Sequence, residues 1–292
     1  MDLISRIADV IIPVFLIVAI GYGYARRQAP DLSTFNRIAL DVLAPLLVYS
    51  ALAARDFHLV EYSRLLLGAT VLIFGAGLLA WPLARAIGAQ TRTLVPVVMF
   101  NNCGNMGLPL ALLAFGPEHF GAAVALFAVS NLLHFSIGAR ITSVRARTRD
   151  LLVSPLMIGT VLGFASALTG VRPPDAILSG LALLGNAMLP MLLFALGVRL
   201  TALTRSGFAL GLVGAVARPL IGLAIGIPLA WALGLEGVDR GQLLLFAALP
   251  PAVVQFMLAD RYHQEPEKVA AMVMLGNALA LIFIPLALAL GL

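Results

Sequence analysis

Three asparagines lie in a short stretch, FNNCGNMGLPL, which begins at Phe100 within an otherwise apolar segment. The amides of Asn102 and Asn105 can donate hydrogen bonds to a carboxylate or to another polar ligand. Helix-weakening residues are interleaved with them: Gly104, Gly107 and Pro109. A helix that breaks here presents free N–H groups and a positive dipole, and both favour a negative charge. The stretch therefore predicts a binding site for an anion.

A second break is predicted in the stretch FAALPPAVVQFMLADRY, which ends at Tyr262. The adjacent Pro250 and Pro251 remove two N–H donors that a regular helix needs. Gln255 follows the second proline by four residues and is expected to face the same cavity. Paired breaks in the two halves of a membrane protein are typical of the binding site of a secondary transporter. Two purely structural kinks are the alternative.

Two charged residues are expected at membrane depth. Asp41 lies in the second apolar segment, and Asn186 is its counterpart in the second half of the chain. A carboxylate at that depth costs roughly 2.5–3.5 kcal/mol on insertion scales, so it needs a reason to be there. It could carry a proton, help to hold a sodium ion or pair with a basic group. Arg218 is about as deep, and is either the structural partner of Asp41 or an attractor for an anionic substrate.

Three further polar side chains fall within apolar segments. His134 is either a hydrogen-bonded packing residue or part of a proton relay. Asn131 and Asn277 occupy matching positions in the two halves of the chain, where they either cap the broken helices or contact the substrate. The lone Cys103 excludes an intrachain disulfide, and the sequence has no Cys/His spacing typical of a metal site. No cofactor is expected, and H⁺ and Na⁺ are the candidate coupling ions.

The composition around these residues indicates a polytopic protein of the lipid bilayer. Hydrophobic residues make up 61% of the chain and charged residues 11%, against roughly 45–50% and 25% in soluble domains. The charged residues fall in short clusters between apolar runs of about 20 residues, the length that spans a bilayer. Nearly all of the positive charge is arginine in these clusters. Such loops set orientation in the membrane and do not indicate nucleic acid binding.

Cutting the chain at the charge clusters and at the Pro/Gly turns predicts ten membrane-spanning helices. They run approximately over 6–25, 33–54, 63–87, 93–115, 117–141, 153–169, 175–198, 206–234, 240–259 and 266–290. Residues of the first half recur in the second half at offsets between 142 and 149: Pro13 and Pro155, Pro45 and Pro190, Gly68 and Gly214, Asn131 and Asn277, Pro117 and Pro266. Several matches in the same order indicate an internal repeat.

The predicted fold is an all-α membrane protein with two repeats of five helices, 1–142 and 153–292, joined by a basic cytoplasmic linker at 143–152. Because five is an odd number, the second repeat enters the membrane inverted, and helices 4 and 9 are the broken, crossing pair. Basic residues concentrate in alternate loops, and the positive-inside rule assigns those loops to the cytoplasm. Both termini are therefore expected outside the cytoplasm, in a cell inner membrane.

The asparagine-rich stretch, from Asn102 to Leu110, resembles the crossover motif of the auxin efflux carrier family, which includes bacterial malonate and malate permease-like proteins. Four further stretches resemble that family: Phe35-Asn36-Arg37 ahead of Pro45, Leu184-Gly185 ahead of Pro190, Pro250-Pro251-Ala252, and Leu258-Ala259 with Tyr262. The resemblance covers nearly the whole chain. It departs from the family at Leu275-Gly276-Asn277-Ala278, where members commonly have serine and threonine, and in having no long cytoplasmic loop.

The resemblance implies ten helices in a 5+5 inverted repeat, a substrate at the crossing of helices 4 and 9, a homodimer and an elevator-like motion. It implies transport of organic anions, and it relates the architecture to sodium–bile-acid symporters.

The leading hypothesis is a secondary transporter of a small organic anion, a mono- or dicarboxylate, bound between the two breaks. The alternatives are a sodium-coupled symporter of the bile-acid type and a channel or sensor on the same scaffold. An intramembrane enzyme is disfavoured, because the loops hold only scattered acidic and histidine residues.

Overall fold

The computed structural model describes residues 3–28, 30–54, 60–144, 146, 153–201 and 207–291, and these form helices without a β-strand. The all-α prediction is confirmed. The helices are α1 Leu3–Ala25, α2 Ser33–Leu52, α3 Ser63–Ala86, α4 Thr91–Met99, α5 Cys103–Phe115, α6 Pro117–Thr142, α7 Pro155–Thr169, α8 Asp175–Leu200, α9 Phe208–Ala232, α10 Gly237–Ala248, α11 Val253–Arg261 and α12 Pro266–Gly291.

Seven of these helices are long and apolar enough to cross a bilayer, namely α1, α2, α3, α6, α8, α9 and α12. Helices α5 and α7 are apolar and shorter. The predicted linker at 143–152 falls largely outside the described residues, since 145 and 147–152 are not among them.

Two helical paths are interrupted by short extended segments that pair with each other. One interruption separates α4 from α5 and the other separates α10 from α11. Asn101 and Pro251 form an antiparallel bridge. The backbone N–H of Asn102 donates to the carbonyl of Pro250 at 2.8 Å, and the N–H of Ala252 donates to the carbonyl of Phe100 at 3.1 Å. Backbone groups that the helices leave free are therefore satisfied across the two interruptions.

The first interruption begins slightly earlier than the sequence analysis places it, because α4 already ends at Met99. After the gap, Cys103–Gly107 forms a π-helical turn in which the N–H groups of Met106 and Gly107 both donate to the carbonyl of Asn102. A π turn inserts one extra residue into a helix. Regular α-helix resumes at Leu108, and Pro109 follows directly after the π turn.

The helices associate in two groups. In the first group, α1 packs along the second half of α8, and the second half of α2 packs against α7 and the first half of α8. In the second group, α9 packs along α12, α10 and α3, and these helices surround the interrupted paths together with α6. Each group therefore takes helices from both halves of the chain.

Glycines bring the backbones of the first group into direct contact. A Cβ atom on Gly21 of α1 would lie 2.1 Å from the carbonyl oxygen of Phe194, and one on Gly197 of α8 would lie 1.9 Å from that of Val18. Small residues at such contacts are the usual means by which membrane helices approach closely.

This contact predicts that Gly21→Ala lowers the apparent melting temperature of the purified protein, because the added methyl group overlaps a backbone atom that cannot move aside. Gly23→Ala is the matched control on the same helix, since a Cβ atom there meets nothing within 4 Å. Alanine also has the better helix propensity, so the control variant should be as stable as the wild type or slightly more so. Equal melting temperatures for the two variants would show that α1 and α8 do not pack this closely.

Candidate functional site

A cavity lies between the two helix groups, where the interrupted paths face α2, α6 and α8. Its polar lining comes from both groups: Asn36, Asn101, Asn102, Cys103, Asn105, Ser130, Asn131, His134 and Arg199. Gly104 and the first residues of α11 complete the wall beside the interruptions. Of the residues predicted for the site, the cavity wall brings together Asn102, Gly104, Asn105, Asn131 and His134.

Arg199 is the one charged side chain among the described residues that line this cavity. Arg199, near the end of α8, donates from Nη2 to Oδ1 of Asn36 at 2.6 Å. No carboxylate is among the described residues that line the cavity. Arg199 is not recognisable from the sequence as a site residue, because it belongs to a basic cluster of the kind that orients loops in the membrane. Asn36 carries no signal of a site role beyond its place in a motif that resembles the family.

Asn102 is held by a hydrogen bond behind the cavity wall. Its Nδ2 donates to Oδ1 of Asn277 at 2.7 Å. Nδ2 of Asn277 in turn donates to the carbonyl of Val273 at 2.7 Å and, more weakly, to that of Pro251 at 3.4 Å. The two amides tie both interruptions to α12. Asn105 differs, since its side chain is half-buried in the cavity wall and has no hydrogen bond within the described chain.

The remaining polar groups of the wall come from α6 and from two helix ends. Nδ2 of Asn131 donates to the carbonyl of Phe127 at 2.8 Å, which leaves its Oδ1 available. Gly104 lets Phe127 pack closely, because a Cβ atom would lie 2.8 Å from Cε2 of that ring. The N-termini of α5 and α11 both border the cavity, and the N–H groups of a first turn lack partners within their own helix.

His134 begins a π-helical turn of α6 and is almost fully buried. Its ring stacks on Phe100 with the centroids 4.1 Å apart. Nε2 lies 2.9 Å from Oε1 of Gln255, and Nε2 of Gln255 donates to the hydroxyl of Thr142 at 3.0 Å. Gln255 is fully buried in this network and does not line the cavity, contrary to the expectation that it faces the crossing from α11.

Arg218 is fully buried on α9 and lies outside the cavity wall. Its guanidinium donates to the carbonyl oxygens of Ala247 at 3.0 Å and Phe246 at 3.4 Å. These carbonyls belong to the last turn of α10, where the helix dipole favours a cation. The structure forms no ion pair between Arg218 and Asp41, so the counter-charge pairing that the sequence left open is wrong.

Asp41 is exposed and lines a second cavity that adjoins the first. The same cavity is lined by Arg261 at the end of α11 and by Ser154 ahead of α7. Asn186 is exposed on α8 and lines neither cavity.

The other residues predicted for the site lie behind the cavity wall, at or next to the paired interruptions. The backbones of Pro250 and Pro251 take part in the pairing between the two interruptions. Gly107 leaves room for Leu249, because a Cβ atom at Gly107 would lie 2.7 Å from Cδ1 of Leu249. Pro109 is buried at the start of the regular part of α5. The arrangement as a whole offers donors to a ligand and backs them with one guanidinium, which suits a small anion better than a cation.

Comparison with known proteins identifies a family of membrane transporters. A family model described as membrane transport protein matches residues 7–146 and 139–288. An uncharacterized transporter of Methanocaldococcus jannaschii is 23% identical over 301 residues, which cover 95% of this chain and 96% of that protein.

A candidate malonate transporter of Rhizobium meliloti is 26% identical over 94% of this chain and 93% of its own length. Auxin efflux carrier component 1 of Arabidopsis thaliana is 28% identical over 140 residues, which cover 46% of this chain and 22% of that protein. The family match extends over both halves of the chain and nearly to its ends. The chain is therefore a multi-pass membrane protein that belongs to the membrane transport protein family, the family of the auxin efflux carriers.

Proposed function

We propose that this transporter carries a small organic anion, a mono- or dicarboxylate, which binds in the cavity between the two helix groups. One observation carries the proposal: the cavity is lined by a guanidinium, a free amide and two helix N-termini, with no carboxylate among its described lining residues. Arg199 supplies the charge that attracts the anion. Asn105 and the first turns of α5 and α11 supply donors to its oxygens.

The relatives support the same ligand class. The relative from Rhizobium meliloti is named for malonate, a dicarboxylate, and auxin carriers are named for an organic acid. Both names fit a cavity that is rich in donors.

We propose further that α4 with α5, and α10 with α11, are spans 4 and 9 of a ten-span inverted repeat whose halves are 1–142 and 153–292. The group that holds the interrupted paths would move against α1, α2, α7 and α8 in an elevator-like cycle of alternating access. Support comes from the position of the cavity, which lies between these two groups, so that a relative motion would change its access. The same proposal includes a homodimer in a cell inner membrane with both termini outside the cytoplasm.

Coupling to H⁺ or Na⁺ is assigned to Asp41, the one carboxylate among the described lining residues of the two adjoining cavities. The coupling roles of Asn186 and His134 stay predictions from the sequence.

Arg199→Gln is expected to raise the dissociation constant of a bound carboxylate by at least about tenfold, because a charge-assisted hydrogen bond is lost. The measurement is a titration of malonate, malate and monocarboxylates against purified protein, followed by calorimetry or thermal shift. Arg85→Gln is the control, since it removes the same charge from a guanidinium that lies on the ring of Trp81, 3.8 Å from its centroid and away from the cavity. Equal affinities for both variants would exclude Arg199 from the site.

Asn105→Ala and Asn102→Ala are expected to separate binding from stability. Asn105 has a free amide, so its removal should weaken carboxylate binding and leave the melting temperature unchanged. Asn102 holds Asn277, so its removal should lower the melting temperature as well. The proposed site is refuted if Asn105→Ala binds and transports carboxylates as the wild type does.

Asp41→Asn is expected to abolish any dependence of transport on external pH or sodium in proteoliposomes, because the amide can neither bind a proton nor neutralise a cation. Asp9→Asn is the control, since Asp9 is exposed on α1 and lines neither cavity. Dependence that persists in Asp41→Asn would remove this carboxylate from the coupling mechanism.

A further inference from the structure

A hydrogen-bond chain runs behind the cavity. The hydroxyl of Thr142 donates to the carbonyl oxygen of Gly138 at 3.0 Å. The oxygen of Thr142 must then accept from Nε2 of Gln255. This turns Oε1 of Gln255 toward His134. Since an amide oxygen can only accept, Nε2 of His134 carries the ring proton.

The other ring nitrogen of His134 is left with a bare lone pair. Nδ1 makes no hydrogen bond within the described chain. Buried side-chain atoms without a partner there are Asn101 Oδ1, Arg218 Nε and Gln242 Oε1. Nδ1 is not among these atoms, and His134 is one of the residues that line the cavity.

We propose that the substrate carries a hydrogen-bond donor beside its carboxylate, such as a hydroxyl group, and that Nδ1 of His134 accepts from it. This inference rests on the proposed function and narrows its substrate class to hydroxy acids and similarly donor-bearing anions. Thr142 is the positioning residue for this selectivity. It orients Gln255, which places the ring proton of His134 on Nε2 and leaves Nδ1 as the acceptor.

Arg199 and the two helix N-termini contribute donors, and carboxylate oxygens satisfy them. Nδ1 of His134 and Oδ1 of Asn131 are acceptors in the same wall, and only a donor on the substrate can satisfy them. A keto group placed against Nδ1 would bring two lone pairs together, and a methylene group would leave Nδ1 without a hydrogen-bond donor. A buried polar group left unpaired weakens binding by roughly tenfold. A cation at Nδ1 is disfavoured because the wall already holds a guanidinium and no carboxylate from the described residues.

The tautomer is tested without any ligand by ¹⁵N NMR of purified protein labelled at histidine. The chain has four histidines, and the signal of His134 is identified by its loss in His134→Gln. We expect a single neutral form with the proton on Nε2 in the wild type and in Thr142→Ser, which keeps the hydroxyl group. Thr142→Val keeps the side-chain shape and removes the acceptor, so Gln255 is free to turn and the form protonated on Nδ1 should appear. A wild-type ring protonated on Nδ1 would overturn the inference.

Ligand selectivity is tested with two pairs of carboxylates, lactate with pyruvate and 2-hydroxyglutarate with 2-oxoglutarate. In each pair the first anion carries a hydroxyl group where the second carries a keto group. The wild type and Thr142→Ser should bind the hydroxy member of a pair roughly tenfold more tightly. In Thr142→Val and Gln255→Leu this ratio should fall toward one, although neither residue lines the cavity.

Equal binding of hydroxy and keto members by the wild type would overturn the inference while leaving carboxylate transport in place. Loss of affinity in Thr142→Val with an unchanged ratio would show a merely structural role for Thr142, and would also overturn it. If no carboxylate binds at all, the proposed function fails, and the NMR measurement still decides the tautomer.

Discussion

Two hydrogen bonds join the interrupted backbones, from Asn102 N to the carbonyl of Pro250 and from Ala252 N to that of Phe100. In the interior of a bilayer, unpaired backbone groups cost several kcal/mol each, so a helix can stop at that depth only if its free groups find partners. Here each interruption serves as the partner of the other. The cavity depends on this pairing, because the same breaks turn the first residues of α5 and α11 toward it.

The back of the crossing shows how a buried positive charge is accommodated. Nδ2 of Asn101 and Nη2 of Arg218 converge on the carbonyl of Phe246, at 2.6 and 3.4 Å, and Arg218 also binds the carbonyl of Ala247. The end of α10 therefore faces a cation behind the paired interruptions, while the beginnings of α5 and α11 border the cavity in front.

The sequence predicts the helical class, because apolar runs of membrane-spanning length leave few alternatives to a helix. The structure interrupts two helical paths beside the proline and glycine residues that weaken a helix there. The sequence also identifies five residues of the cavity wall. It does not identify Arg199 or Asn36, since their meeting depends on how α2 packs against α8. The orientation of Gln255 could not be predicted either: its burial is decided by Thr142 and His134 on another helix, and no periodicity within α11 encodes that contact.

The glycine contacts of the first helix group carry a mechanical consequence. Where Gly21 and Gly197 bring α1 and α8 together, backbone touches backbone, and no side chain can change rotamer to absorb a shift. The wall of the cavity is built differently, from side chains such as Arg199, Phe127 and Met257 that have torsional freedom. The contact between α1 and α8 is therefore stiffer than one made through side chains, and an added atom there must displace backbone.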